Sequence, residues 1–415
     1  MNKNEQNPHE INNPANLDIL GDIQFILMHK DEEVAKTTAG SITDNWEILQ
    51  PNLLPSTWNA LRKIPETPLS SQNQANLDKA ETEREMLMEI NRNIILQWLA
   101  YRVLPFDRLN AKKLHQILDI SQENTRTMKA SISLQIMGLS ICDNYWIKKS
   151  NQEISWKNVD IKQNPISEGL AVLALLGKTS AVTAADLANP LLAAAELSTL
   201  GSYAKGVFRE GEHLYLYKTG DNHTLAAEVV SSAILAASNV YGLVKYEYQE
   251  KLNTPAVKCK LMTTPKRDVL HANFFDGNAV SFAQQNFAEQ FYQMCVVDYL
   301  IGNIDRHGIN WGFFREHPNW EITGLHWLYD HNNAFDIDEL NEKSQAKSVL
   351  GQDSRLTRSN IGLEEAAIFS LKRCNFRFHS PILKQNFKLF GKQKGKAIKM
   401  FTKRCEKLGI KVKIK

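Results

Sequence analysis

One short stretch concentrates side chains suited to moving a phosphoryl group: Asn303-Ile304-Asp305-Arg306-His307-Gly308-Ile309-Asn310, with Tyr329-Asp330 downstream. Transfer from ATP asks little covalent work of a protein. A carboxylate must orient the attacking hydroxyl and take its proton, and hard oxygen ligands must hold metal ions on the phosphates. Asp305 and Asn310 stand five apart, the D-x-x-x-x-N spacing of a kinase catalytic loop. Asp330 follows twenty residues after Asn310. A hairpin expected over 311–314 and 325–328 would return it to the first pair. On this reading Asp305 is the base, Asn310 one Mg²⁺ ligand and Asp330 the principal one. The plain alternative is a helix end at which Asp and Asn serve as caps. Either spacing alone is weak, but N-x-D-R-H-x-x-N with a later Y-D is far more specific. His307 is either catalytic or a buried ring that bonds the loop backbone and positions Asp305. His307, His326 and His331 share no HxH or HxxxH pair, so zinc is not expected.

The same chemistry needs a cation on the nucleotide phosphates. In the run 213–218 the faces alternate, so Lys218 points the way Leu214 and Leu216 point. A lysine on an apolar face wants a partner. Glu228, ten residues on and inside the next expected helix, is placed to supply one. Upstream, Gly201, Ser202 and Lys205 lie in a run of small residues whose backbone N–H groups could cover phosphates. The run is neither GxGxxG nor a Walker loop. Cys259 and Leu261, at the end of the last β run before a hinge, are candidates to lie beside the adenine. No GxxxxGK[ST], GxSxG, HExxH or CxxC motif argues for another enzyme class.

The elements that must position these groups read as follows. Residues 1–20 are polar and Asn/Pro-rich, a flexible leader. A strand is expected at 23–29, a long helix from 76 to 101 ended by Pro105, and helices at 111–118 and 125–137. Strand-like 141–148 is followed by an Ala/Leu-rich helical stretch, 169–200, broken at Pro190. Then come β runs at 206–209 and 213–218, a helix at 225–238 capped by Thr224, and β runs at 243–248 and 256–262. The order β-β-α-β-β is that of a protein-kinase-like small lobe. A helix at 283–300 opens a mainly helical remainder. The expected class is α+β: a bilobal kinase-like fold with a largely helical N-terminal accessory region. The expected segments are leader 1–20, accessory region 21–138, small lobe 139–262 and helical lobe 263–415. ATP would bind in the cleft between the lobes.

Composition agrees with a folded chain: 43% hydrophobic and 23% charged over 415 residues. No apolar run is long enough to cross a bilayer, and the N-terminus lacks a signal-peptide core. Five scattered cysteines form neither a disulfide framework nor a zinc pattern. A cytoplasmic location is expected. Residues 372–415 hold fifteen Lys or Arg and one acid, Glu406, a local +14; the other 371 residues carry −11 of the net +3. Apolar residues persist in this tail, which favours a folded amphipathic segment.

The stretch Asp298-Tyr299-Leu300-Ile301-Gly302-Asn303-Ile304-Asp305-Arg306-His307 through Asn310, with Tyr329-Asp330, resembles the C-terminal kinase signature of HipA-like proteins. These share the phosphatidylinositol 3- and 4-kinase-like branch of the kinase fold. Residues 138–148, with Ile154-Ser155-Trp156, resemble the L-S-x-x-D-x-Y-W-I-K segment of bacterial and phage HipA-domain proteins. The resemblance implies ATP and Mg²⁺ dependence and phosphorylation of Ser/Thr hydroxyls on protein targets. It also implies a toxin-like role opposed by a small antitoxin-like protein, and autophosphorylation of a loop serine, here Ser202 or Ser198. Nucleic acid would be met only indirectly or through the basic tail. The rivals are a phosphoinositide kinase and an inactive kinase-fold binding module.

Overall fold

The structure, a computed structural model, describes residues 23–64, 74–336, 348–352 and 361–415. The leader expected at 1–20 lies outside the described residues. By contacts the chain divides into two units, 1–213 and 214–415.

The first unit opens with strands β1 (Phe25–His29), β2 (Glu32–Thr37) and β3 (Trp46–Ile48). With β4 (Tyr145–Lys149) they form an antiparallel sheet in the order β3-β2-β1-β4. β1 is buried along its whole length, as its uninterrupted FILM run requires. This sheet adds a β layer to the N-terminal region, which was expected to be largely helical. Strands were expected near β1 and β4, but β4 lies more than a hundred residues from its partner β1, and the short β2 and β3 carry no clear period, so the sheet itself was not announced. Helices α1 (Gln74–Ala100), α2 (Ala111–Ile117) and α3 (Arg126–Gln135) follow the first three strands. α1 stops at Ala100, short of Pro105. Thr125 caps α3, its hydroxyl accepting from the Met128 amide at 3.2 Å.

The strand expected at 141–148 begins only at Tyr145. The preceding residues form a bend held by Arg102, which grips Asp143 bidentately at 2.6 and 2.7 Å and donates to the Gly138 carbonyl. The segment 138–148 therefore includes a framework ion pair. Beyond it lie α4 (Trp156–Val159), α5 (Glu168–Leu176), α6 (Ala194–Leu197) and β5 (Lys205–Glu210). The helix expected over 169–200 is shorter. Gly177 adopts φ 69°, left-handed backbone that ends α5, and 3₁₀ turns occupy most of the span to α6.

In the second unit β6 (His213–Thr219) leads to α7 (Asn222–Ala236), β7 (Glu247–Lys251) and β8 (Thr254–Lys260), with β8 between β6 and β7. Asp221 rather than Thr224 caps α7, its carboxylate accepting from the Thr224 amide at 2.7 Å. The strand expected at 243–248 starts four residues late. Its first part pairs instead with the later segment around Leu328, through Val244 N–H to Leu328 O at 2.9 Å. The next strand, β9 (Arg267–His271), was not expected. It joins β10 (Gly312–Glu316) and β11 (Glu321–Leu325) in a sheet ordered β11-β10-β9. Between them the helix expected at 283–300 is two: α8 (Ala279–Asn286) and α9 (Ala288–Ile301), broken at Phe287. α10 (Leu363–Leu371) and α11 (Lys394–Lys407) complete the unit. α9 runs through its core. Phe291, Met294, Leu300 and Ile301 pack with Phe313, Phe335 and, from the basic tail, Phe387 and Phe401.

Candidate active site

The second unit gathers the phosphoryl-transfer candidates by three local devices. The first is the end of α9. Gly302 takes φ 66°, a conformation a side chain resists, and turns the chain into the loop 303–310. Asp298, in the helix's last turn, receives Asn303 Nδ2 at 3.1 Å and the Arg306 guanidinium at 2.8 Å. Both charges are almost fully buried. Burial works to lower the Arg306 pKa, but Asp298 outweighs it and holds the guanidinium charged.

The second device is the β10–β11 hairpin, which returns the chain to that loop. Arg306 then joins the two segments. One of its nitrogens donates to Asn310 O at 2.9 Å and to Tyr329 O at 2.8 Å, and another reaches His331 Nδ1 at 3.2 Å. Tyr329 adds a bond from its hydroxyl to the Ile309 carbonyl. Asp330 itself sits at φ 58°, left-handed backbone that Asp and Asn tolerate better than most residues. His331 is neutral, because burial and the Arg306 charge push its pKa well down.

The third device is the strand–helix pair β6–α7. Lys218, facing Val257 across the sheet, is 4% exposed. Its ammonium lies 2.7 Å from Glu228 Oε1, 2.6 Å from Asp330 Oδ1 and 3.2 Å from the Tyr246 hydroxyl. The ion pair expected from strand alternation is therefore present, with Asp330 as a second carboxylate. Burial pulls the lysine's pKa down, yet Asp330 and Glu228 together hold it well above its usual value. Glu228 also accepts from the His331 amide at 2.8 Å. Its two oxygens thus tie α7 to Lys218 and to the residue after Asp330.

Asp305 and His307 sit at the open side of this framework. Asp305 Oδ2 accepts from Asn333 Nδ2 at 2.9 Å, and Oδ1 lies 3.9 Å from His307 Nε2. The expectation of a buried His307 is corrected, since its side chain is 51% exposed. It does bond the loop: Nδ1 accepts from the Ile309 amide at 3.3 Å, and Nε2 lies 3.3 Å from Asn310 Nδ2. Asn310 is buried and donates to the Asp305 carbonyl at 3.0 Å. Gly308 has no room for a side chain, because a Cβ would stand 2.0 Å from Asn273 Oδ1.

Asn333 and Tyr246 are the residues sequence reasoning missed. Each contact spans tens of residues and no motif names it. A lysine on an apolar face, with Glu228 in reach, was the one signal pointing to a further polar neighbour. Cys259 is buried on β8, opposite Leu216, with its thiol pKa pushed up to about 12 by burial. It packs with Tyr246 and Val257, while Leu261 lies just past the strand's end.

Gly201, Ser202 and Lys205 belong to the first unit. There Arg108 clamps both ends of their loop, donating to the carbonyls of Thr199 and Lys205. Lys205 folds back, its ammonium 2.8 Å from Leu200 O. Gly201 has φ 92°, and a Cβ there would stand 2.3 Å from that ammonium. Ser202 is exposed. Ser198 is fully buried and donates to Ala194 O at 2.7 Å, so as a modification site it is closed to solvent.

Among the described residues no three His, Cys, Asp or Glu side chains are disposed to hold a metal. Mg²⁺ on a nucleotide does not require such a cage. One or two protein oxygens with phosphates and water suffice, and Asp330 with Asn310 offers a hard carboxylate and an amide oxygen. Among the described residues no helix is long and apolar enough to cross a membrane.

Residues 204–344 match the family model for phosphatidylinositol 3- and 4-kinase. Among solved structures, a Helicobacter pylori proinflammatory kinase, CtkA, is 18% identical with a TM-score of 0.38, over 49% of this chain and 90% of that one. HipA of Shewanella oneidensis MR-1, solved as a toxin–antitoxin complex with HipB and operator DNA, is 11% identical with a TM-score of 0.45. That likeness spans 92% of this chain and 88% of that one. No curated protein sequence matches the chain.

Proposed function

We propose, from a phosphatidylinositol 3- and 4-kinase-like domain and the site built on it, that the chain is an ATP- and Mg²⁺-dependent kinase acting on a Ser/Thr hydroxyl of a protein. The observation that carries this is the buried Lys218 ammonium shared between Glu228 and Asp330. A buried cation costs several kcal/mol of desolvation unless function or partners offset it. Here its partners are the two carboxylates a phosphate-binding lysine and a metal site would need. In this reading residues 139–262 form the nucleotide lobe and 263–415 the acceptor lobe. Lys218 pairs with the nucleotide phosphates, and Glu228 keeps it aimed. Asp330 and Asn310 would hold Mg²⁺, whose positive charge would offset the negative charge on the phosphates. Asp305 orients the acceptor hydroxyl through Oδ1 and takes its proton, while Asn333 fixes Oδ2. His307 contacts Asp305 and Asn310 and lines the acceptor's approach.

Charge supports a protein hydroxyl as the acceptor. A phosphoinositide headgroup brings phosphates of its own to the catalytic loop. The only Lys or Arg in 303–310 is Arg306, and it is buried against Asp298 and two carbonyls. A neutral hydroxyl suits that surface better. A toxin-like role, an antitoxin-like partner and autophosphorylation at Ser202 are finer parts of the same proposal.

The test is γ-labelled ATP with Mg²⁺, offered with mixed dephosphorylated protein or with phosphoinositide vesicles. Label in protein is expected. Label in lipid alone would replace the reading with a lipid kinase. Tight nucleotide binding without transfer to either acceptor would leave a binding module.

A further inference from the structure

The basic tail is not a loose arm. In α11, Ala397, Phe401 and Cys405 recur every four residues and are buried. Lys396, Lys399, Lys403 and Lys407, spaced three and four apart, occupy the opposite face and are exposed, with exposed Lys392 one step before them. From Lys396 to Lys407 the stripe runs about 16 Å. The chain end continues the pattern at a strand period. Lys411, Lys413 and Lys415 are exposed and alternate with Val412 and Ile414, which pack on the core. Ile414 is bridged to Ile382, and the Lys415 amide donates to the Ile382 carbonyl at 3.0 Å. Within 384–415 the only acid is Glu406. Lys407 pairs with Glu364 at 2.6 Å. Among the described residues, Lys392, Lys396, Lys399 and Lys403 have no carboxylate within ion-pair distance.

We propose that this lysine face docks the phosphate backbone of a double-stranded nucleic acid. Lysines are fixed here by an apolar face already buried in the core, so their charges are ordered before any ligand arrives. A double helix presents about one negative charge per 1.7 Å, the densest linear array such a stripe can meet. Anionic membrane fits less well. Amphipathic helices bind it by sinking an apolar face, and α11 has none to offer. Single strands are held largely by aromatic stacking. In residues 372–415 the only exposed large hydrophobic side chain is Leu383, and Phe387, Phe390 and Phe401 are buried. Lysines acting as point charges, without exposed aromatics or a base-reading fork, predict binding indifferent to sequence.

The experiment is anisotropy of the full chain with a short labelled duplex of arbitrary sequence, made once as DNA and once as RNA. Affinity for at least one should fall log-linearly between about 50 and 200 mM salt. The combined variant Lys392→Gln, Lys396→Gln, Lys399→Gln, Lys403→Gln should keep its melting temperature and lower the magnitude of that slope by about 3.6, at about 0.9 per lysine. The corresponding Lys→Arg variant should bind as the wild type does. An unchanged slope in the glutamine variant would overturn the proposal. So would no binding to either duplex at low salt, or displacement of bound duplex by phosphatidylserine vesicles at equal charge.

Discussion

Asp305 holds one carboxylate oxygen on Asn333 and turns the other toward His307, on a loop otherwise stitched by Arg306. If it takes the acceptor's proton, Asp305→Asn keeps size and hydrogen bonding but loses basicity. Transfer should then drop about 10²–10⁴-fold, roughly 3–5 kcal/mol of barrier, while Mg²⁺–ATP affinity stays near wild type. Autophosphorylation and nucleotide titration, run on the same well-folded variant, check both halves. Retained transfer would reduce Asp305 to a capping residue. At this scale much was legible in the chain. Strand alternation turned Lys218 inward, and its spacing from Glu228 allowed for one helical turn or two. Asn333 was not legible, because its bond to Asp305 joins residues twenty-eight apart across two loops. Nor was Tyr246, whose hydroxyl meets Lys218 from twenty-eight residues along the chain.

Elements fared unevenly, for physical reasons. Helices with a marked period, such as α1 and α3, read close to their true bounds, whereas β3 is only three residues long and β9 is set by pairing with β10, some forty residues on. α6 carries a titration that can be followed. Its Glu196 is buried, with one oxygen accepting from the Val207 amide at 2.8 Å and the other without a hydrogen-bond partner. Burial raises the carboxyl's pKa to about 7, although Val207 and Arg108 act against it. The unfolded chain ionises first, so stability is full below about pH 4.5 and falls as pH rises to about 7, by about 3 kcal/mol. Glu196→Gln should flatten that decline, and thermal melts from pH 5 to 8 will register it. An equal decline in the variant would assign the effect elsewhere. In α11 the expectation concerns packing. Phe401 is fully buried in the core of the second unit, so Phe401→Ala should cost about 3–5 kcal/mol in chemical denaturation. A loss below about 1 kcal/mol would mean that the tail is an appendage after all.

The whole molecule offers a readout independent of turnover. A ligand that binds only the folded form stabilises it by mass action. Mg²⁺–ATP at about a hundredfold its Kd should add about 2.7 kcal/mol, or roughly 5–10 °C in the melting of a unit of this size. Asp330→Asn should lose most of that shift, since a hard dication prefers a charged oxygen, and Asn accepts the left-handed backbone at this position. An undiminished shift would remove Asp330 from the metal site. Arg306 has a consequence of another kind. Its guanidinium is a shared anchor for residues 306–310 and 329–331, so neither segment can open while the other stays closed. Their amides should exchange with deuterium as one cooperative block, at one rate, whatever the separation along the chain. A site of this design does not fray residue by residue; it is either whole or absent, and the clock that times its opening is the release of one buried cation from Asp298.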